Sequence, residues 1–337
     1  MRPLCLFFFL GSLLLCGCSN STATDGDTIT VVDQLGRTVT VPKNIRRIAA
    51  LHHFGGKVVF ALGQQDKLVD QALYHRESLA MAKVNPSFAA KPKLIQGHNL
   101  NNEEMVALRP DIAIAYASFD PDEMAKLENA GIKVIAIKGE TLEESYAGVR
   151  LVAKVLGCEK RGEEYIAECQ GLFRLVKERT DRIPPEKRLK VMFVGPKNIY
   201  TAATGQMLQN VLLETAGGRN VASSLTGFWA SVSPEQIAAW NPDVIFLGSS
   251  LDAYGADTVF SNRQFSTVSA VRNRRVYVFP STIGWWDYPA PHCVLGMVWA
   301  AKTLYPDRFR DVDMKKTADG FYSRYLGYSF TAMGGKL

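Results

Sequence analysis

The 337-residue chain is 47% hydrophobic and 21% charged, the balance of an ordinary folded protein, which excludes a disordered or collagen-like chain. Lys plus Arg number 39 against 33 Asp plus Glu, a net charge of +6 with no basic block, too mild for a nucleic-acid-binding footprint. A small anionic ligand remains compatible with that charge.

The N-terminus reads as an export signal. Positions 4–15 are apolar but too short to span a bilayer, and Arg2 before them with small residues after them gives a secretory leader. The leader ends Leu15-Cys16-Gly17-Cys18-Ser19, which resembles the bacterial lipobox and makes Cys18 the lipidated residue and mature N-terminus. Residues 1–18 are therefore assigned to the signal peptide and 19–28 to a polar tether; losing Arg2 leaves a net charge of +5. Several acyl chains pass the threshold for stable anchoring, so the expectation is an exported, lipid-anchored protein. Three cysteines remain beyond the leader, Cys158, Cys169 and Cys293. On one helix the first two would lie roughly 16 Å apart, too far to bridge.

Residues 28–41 alternate around Gln34-Leu35-Gly36, a hairpin pattern. Apolar runs at 47–51, 68–72, 111–116 and 133–137 then read as strands, interleaved with helical patterns at 57–62, 103–108 and 121–130. A helical stretch follows at 142–156 and 159–182, ended by Pro184-Pro185. The second half repeats the plan, with strands at 190–194, 243–247 and 275–279 and helices at 207–215, 234–240 and 294–304. Strands alternating with helices give parallel sheets. The predicted architecture is α/β: two Rossmann-like lobes, 29–140 and 186–337, joined by a helical connector at 141–185. A helix of some 24 residues is about 36 Å long, enough to span the lobes as a stiff strut, with the ligand cleft between them.

An internal repeat links the halves. The segment from Asn101 to Ile112 (NNEEMVALRPDI) aligns without gaps on that from Ser233 to Val244 (SPEQIAAWNPDV): a capping residue, Glu or Gln three positions later, a short helix ended before Pro, and Asp leading into a strand. Glu103 and Glu235 take equivalent places. Spacing alone is equally served by carboxylates at the positive ends of helix dipoles.

Together the lipobox, DQLGRTVTVPKNIRRIAAL at 33–51, ALRPDIAIAY at 107–116, SVSPEQIAAWNPDVIFLG at 231–248 and GWWDYPAPHCVLGMVWAAKTLYPDRF at 284–309 resemble the solute-binding proteins of ABC importers for ferric siderophores, haem and cobalamin. The resemblance implies a binding protein rather than an enzyme, monomeric, working with a membrane permease dimer and its ATPase, with Glu103 and Glu235 as the carboxylates that pair with permease arginines. His292 stands where relatives often carry Arg.

Ligands of open α/β sheets bind beyond the carboxyl ends of the strands. The segments after strands supply the candidate ligand contacts: His52 and His53, Tyr74, Lys197 and Tyr200, and the loop Trp285-Trp286-Asp287-Tyr288. Trp229 joins them from another loop, and His98 and His292 are weaker candidates. His52 and His53 are adjacent, so only one of an extended pair faces a ligand. Three large aromatics in a Gly/Pro-bounded loop read as the lining of a concave small-molecule site. No nucleophile elbow, Walker loop, H-E-x-x-H, C-x-x-C or post-strand G-x-G-x-x-G is present, leaving an exported hydrolase as a remote reading. The leading ligand class is a metal chelate, either ferric siderophore, haem or corrinoid, stacked on the aromatics. The alternative is molybdate or tungstate, held by donors from Ser118, Ser249, Ser250 or helix-start N–H groups. No resident cofactor or nucleic-acid partner is expected.

Overall fold

The computed structural model describes residues 26–96, 99–248, 251, 255–288 and 290–337. Cys18 and its leader, His98, Ser249 and Ser250 lie outside the described residues.

The N-lobe opens with a hairpin, β1 (Thr28–Val32) and β2 (Thr38–Pro42). Its turn is built on Asp33: Oδ1 accepts the backbone N–H groups of Leu35 and Arg37, both at 3.0 Å, while Gly36 takes φ +79°, a conformation that suits glycine. Asp33 Oδ2 accepts Ala136 N–H at 3.2 Å and so ties the hairpin to the lobe. There follow β3 (Ile48–Ala50), α1 (His53–Ala61), α2 (His75–Val84), α3 (Pro86–Ala89), the short pair β4 (Ile95–Gln96) and β5 (Asn99–Leu100), α4 (Asn102–Ala107), β6 (Ile112–Tyr116), α5 (Pro121–Asn129) and β7 (Lys133–Ile137). The parallel sheet has the order β3-β6-β7. The strand expected at 68–72 is reduced to a single bridge, Leu68 with Ile48. The chain there turns so that the buried Asp70 carboxylate accepts Ala50 N–H at 3.2 Å, and burial pushes that carboxyl up to about 7.

Helices α6 (Leu142–Leu156) and α7 (Glu159–Thr180) form the connector. A Thr141–Glu144 capping box starts α6 and Gly157, at φ +63°, ends it. The C-lobe comprises β8 (Lys190–Val194), β9 (Thr201–Ala203), α8 (Leu208–Thr215), β10 (Arg219–Asn220), β11 (Trp229–Ser231), α9 (Pro234–Trp240), β12 (Val244–Leu247), α10 (Gly255–Phe260), α11 (Ser269–Arg272), β13 (Val276–Val278), α12 (Val294–Leu304) and α13 (Met314–Leu326). Its sheet runs β11-β9-β8-β12-β13, with β10 also on β8. β9 and β11 are antiparallel additions to a parallel sheet.

The internal repeat is a structural one. Asn101 and Ser233 cap their helices by accepting Glu104 N–H and Gln236 N–H, each at 3.2 Å. Arg109 and Asn241 end them at φ 44° and 45°. Asp111 and Asp243 then accept backbone N–H groups at the starts of neighbouring strands, from Arg47 at 2.9 Å and Lys190 at 2.8 Å, and the side chains of those same two residues donate to Leu108 O and Trp240 O. One set of bonds thus fixes the helix-to-strand joint in both lobes.

Two features depart from the sequence-based expectation of a single strut between separate lobes. First, one hydrophobic core runs through both: Phe54 and Val58 of α1, Tyr165, Ile166 and Cys169 of α7, Phe193 of β8, Leu295 of α12 and Phe321 of α13 belong to a single buried cluster. Second, α13, placed in the C-lobe by the 186–337 boundary, packs on α1 of the N-lobe as well as on α12. Arg161 of α7 joins these helices, donating to Ala61 O at 3.1 Å and to Arg324 O, and Tyr325 donates to Glu168 at 2.8 Å. The amphipathic faces of both helices find their apolar partners across the lobe boundary, which the pattern of one helix alone does not reveal.

Candidate functional site

The carboxyl ends of β3 and β6 deliver His52, His53 and Tyr116 to one edge of the N-lobe. His52 is the N-cap of α1; its Nδ1 accepts Phe54 N–H at 3.3 Å. Burial and the nearby Lys57 charge lower the His52 pKa to about 4, and burial drives His53 well below its ordinary value. Both imidazoles are therefore neutral at pH 7. With Nδ1 of His52 engaged as an acceptor, its proton sits on Nε2, which is left as an N–H donor. The rings stack as a series: His52 against His53 at 3.9 Å between centroids and against Tyr116 at 4.4 Å. Tyr116 gives its hydroxyl proton to Glu140 at 2.7 Å.

The C-lobe supplies the facing wall. Tyr288 meets His53 at 5.2 Å, and Trp285 meets Tyr74 at 4.2 Å and Tyr288 at 5.2 Å. Burial raises the hydroxyl pKa of Tyr74 and of Tyr288, so both remain O–H donors. Trp285 Nε1 is buried with no hydrogen-bond partner among the described residues, a donor held ready at a ring cluster that is itself only half covered. Beneath it, Lys57 lies 3.0 Å from Glu77 and 3.2 Å from His292 Nε2; burial and that charge hold His292 well below the ordinary imidazole range.

Trp229 flanks the C-lobe edge, half-buried on β11. A Cβ at Gly195, just past β8, would lie 3.7 Å from the Trp229 ring and 3.8 Å from Gly248, past β12. The other expected contacts fall elsewhere. Trp286 is not a ligand contact but core: it is fully buried, donates Nε1–H to Tyr322 Oη at 3.0 Å and packs on Phe330 at 5.2 Å. In a tight loop successive side chains point apart, so Trp285 faces the cleft while Trp286 faces inward. Tyr200 also turns away, its ring against Phe265 and its hydroxyl bonded to Gln264 and Asn262, each at 2.8 Å. Lys197 is an exposed turn residue, as is Ser118. Sequence reasoning had no signal for Tyr116, whose ring completes the histidine stack; lying at the end of a predicted strand, it was counted as part of the sheet.

No group of three His, Cys, Asp or Glu side chains converges as a metal site among the described residues. The assembled atoms are neutral N–H and O–H donors and aromatic faces, set at the amino end of α1. Glu103 and Glu235 lie exposed in the first turns of α4 and α9. Each of these helices leads by a short joint into the start of a strand, β6 or β12.

Two α/β lobes with a donor-lined aromatic site at the facing carboxyl edges of their sheets define a solute-binding protein. The chain belongs to the periplasmic binding protein family, whose model matches residues 48–283. It is 26% identical over 326 residues to the molybdate-binding protein MolA of Haemophilus influenzae, covering 89% of this chain and 91% of that one. It is 25% identical to the ABC transporter substrate-binding lipoprotein YvrC of Bacillus subtilis, covering 90% and 96%. Among solved structures, a periplasmic solute-binding protein from Veillonella parvula superposes with a TM-score of 0.78 at 28% identity, covering 90% of this chain and 94% of that one.

Proposed function

We propose that this chain is the substrate-binding lipoprotein of an ABC importer, anchored to the cell envelope through Cys18, and that its ligand is a tetrahedral oxyanion of the molybdate or tungstate class. His52 carries the reading: its Nδ1 accepts a backbone N–H, so its neutral ring offers Nε2–H at the start of a nine-residue helix. Helix N-termini favour anions, and an N–H of this kind serves an oxyanion but not a metal ion, which needs a lone pair. Trp285 Nε1–H and the hydroxyls of Tyr74 and Tyr288 are further donors at the same cluster, with His53 within it and Trp229 at its flank. Charge-assisted hydrogen bonds to a dianion are the stronger kind, so these neutral donors are adequate to hold one. The similarity to a molybdate-binding relative supports the same class.

A second reading, a metal chelate, is favoured by the ring platform of Tyr74, Trp285 and Tyr288, which offers stacking area of no use to a small hydrated anion. A macrocycle would have to part the ring contacts between His53 and Tyr288 and between Tyr74 and Trp285. Glu103 and Glu235 are the proposed docking carboxylates for the permease dimer, and the protein works with it as a monomer. Thermal unfolding with molybdate, tungstate, haem, cyanocobalamin and ferric siderophores tests the ligand class: protection by the two oxyanions alone supports the first reading, and protection by a chelate alone overturns it.

A further inference from the structure

Behind the ring cluster three ionisable side chains meet out of contact with solvent. Lys57, one helical turn beyond His53 on α1, places Nζ 3.0 Å from Glu77 Oε2 of α2 and 3.2 Å from His292 Nε2. All three residues are more than nine-tenths buried. Lys57 and Glu77 belong to the N-lobe, whereas His292 sits in the single turn Pro291–Cys293 that precedes α12 of the C-lobe.

The chemistry of the three groups fixes the direction of the chain. An ammonium offers only hydrogens, so His292 Nε2 is the acceptor and the ring proton lies on Nδ1. The Trp285 backbone lies close enough to His292 to favour its protonated ring. Buried polar groups therefore extend from Glu77, through its ion pair with Lys57 and the Lys57–His292 contact, toward the main chain of the aromatic loop. Glu77 touches the same loop a second time. A Cβ on Gly284 would lie 2.1 Å from Glu77 Oε1, so the carboxylate rests against the backbone one residue before Trp285, an approach open only to glycine. Stability alone does not account for such a group, because apolar residues of similar volume commonly serve as well as a buried ion pair. What the polar atoms add is direction, and each of them leads to one loop.

We propose that Lys57, Glu77 and His292 are positioning residues that hold the Trp285–Tyr288 loop of the C-lobe against the N-lobe, so that the ligand site stands preassembled across the cleft. The proposal rests on the reading of Trp285 and Tyr288 as ligand contacts. Preorganisation of this kind saves the ordering cost that a loose loop imposes on each binding event.

The test uses the full chain labelled with 5-fluorotryptophan, with the Trp285 fluorine resonance assigned through Trp285→Phe. Glu77→Gln keeps the shape against Gly284 and leaves Lys57 bonded to His292. The double change Lys57→Met with Glu77→Gln removes both charges together, avoids an unpaired buried carboxylate, and deprives His292 of its donor. The expected result is a displaced or broadened Trp285 resonance in the unliganded double variant and a loss of at least about tenfold in affinity for sodium molybdate. The Trp286 and Trp299 resonances should stay in place, and Glu77→Gln, which removes one of the two charges, should displace the Trp285 resonance and weaken binding less than the double variant does. A Trp285 resonance unchanged in the double variant overturns the proposal, as does a displaced resonance with unchanged affinity. If the unmodified protein does not bind molybdate, the oxyanion reading falls, and the Trp285 resonance still decides the positioning claim.

Discussion

The rings of Tyr74 and Trp285 lie 4.2 Å apart between centroids, although Tyr74 introduces α2 of the N-lobe and Trp285 stands in the C-lobe loop before α12. This contact, with that of His53 and Tyr288, makes the proposed ligand site a joint property of both lobes. It also separates two tryptophans that are adjacent in sequence. Trp285→Ala is expected to weaken ligand binding at least tenfold with little change in stability. Trp286→Ala removes a fully buried ring bonded to Tyr322 and should destabilise the fold by about 3–5 kcal/mol. Chemical denaturation and ligand titration of both variants check the division; equal loss of binding by two stable variants would contradict it.

Binding should be proton-linked. In the free protein the His52 pKa is lowered to about 4, and burial holds that of His53 well below its ordinary value. A bound dianion stabilises the protonated ring and raises that pKa, so the complex takes up protons and affinity for an oxyanion rises as pH falls from 7 toward 5. The slope cannot exceed about tenfold per pH unit for each proton taken up. Calorimetric titration in micromolar tungstate across this range measures it. Affinity that weakens on acidification would indicate a ligand that uses the imidazole lone pair.

Asp70 gives a stability effect of known sign. Its folded pKa is raised by burial to about 7 from the ordinary carboxyl value of 3.8, so the folded state holds the proton more tightly. Its contribution is complete below pH 3.8 and is lost as pH rises through 7. Asn at this position can still accept Ala50 N–H without charging. The stability of Asp70→Asn relative to the unmodified protein should therefore grow by about 2–3 kcal/mol between pH 5 and pH 8. Denaturant unfolding at both values checks this, and a pH-independent difference would show that Asp70 is not the group that titrates.

The continuous core through α1, α7, α12 and α13 leaves little freedom for lobe closure. Small-angle scattering should return nearly the same radius of gyration with and without ligand, unlike proteins that close about flexible hinges. Marked compaction on binding would contradict a core shared rigidly by the two lobes.

Glu103→Ala and Glu235→Ala are expected to leave ligand affinity within about threefold and to reduce uptake in cells. Exposed charge pairs are individually weak, so the double change should have a markedly larger effect than either single one. Normal uptake by the double variant would remove the docking assignment.

The repeat was the most legible part of the fold. Caps, helix ends and the Asp joint are local, so Asn101, Asp111, Ser233 and Asp243 carry their structural roles in the spacing itself. The alternating runs other than 68–72 likewise read correctly as strands and helices, because the strands lie in sheets packed by crossover helices. What sequence could not supply depended on distant partners. The return of α13 to α1, the bridge that replaces a strand at Leu68, and the antiparallel β9 and β11 are tertiary outcomes. At the site, composition marked the aromatic loop, but only the fold shows that Trp286 and Tyr200 point away and that Tyr116 points in. The Lys57–His292 contact joins residues 235 positions apart, each unremarkable in its own segment.

Native mass spectrometry of the protein purified from its own host, combined with elemental analysis and an ultraviolet-visible spectrum, tests the central claim most directly. The oxyanion reading predicts a small added mass accounted for by molybdenum or tungsten with oxygen, no visible chromophore, and loss of that mass in Trp285→Ala. An added mass of chelate or macrocycle size, carrying iron or cobalt and a visible absorption band, would contradict it.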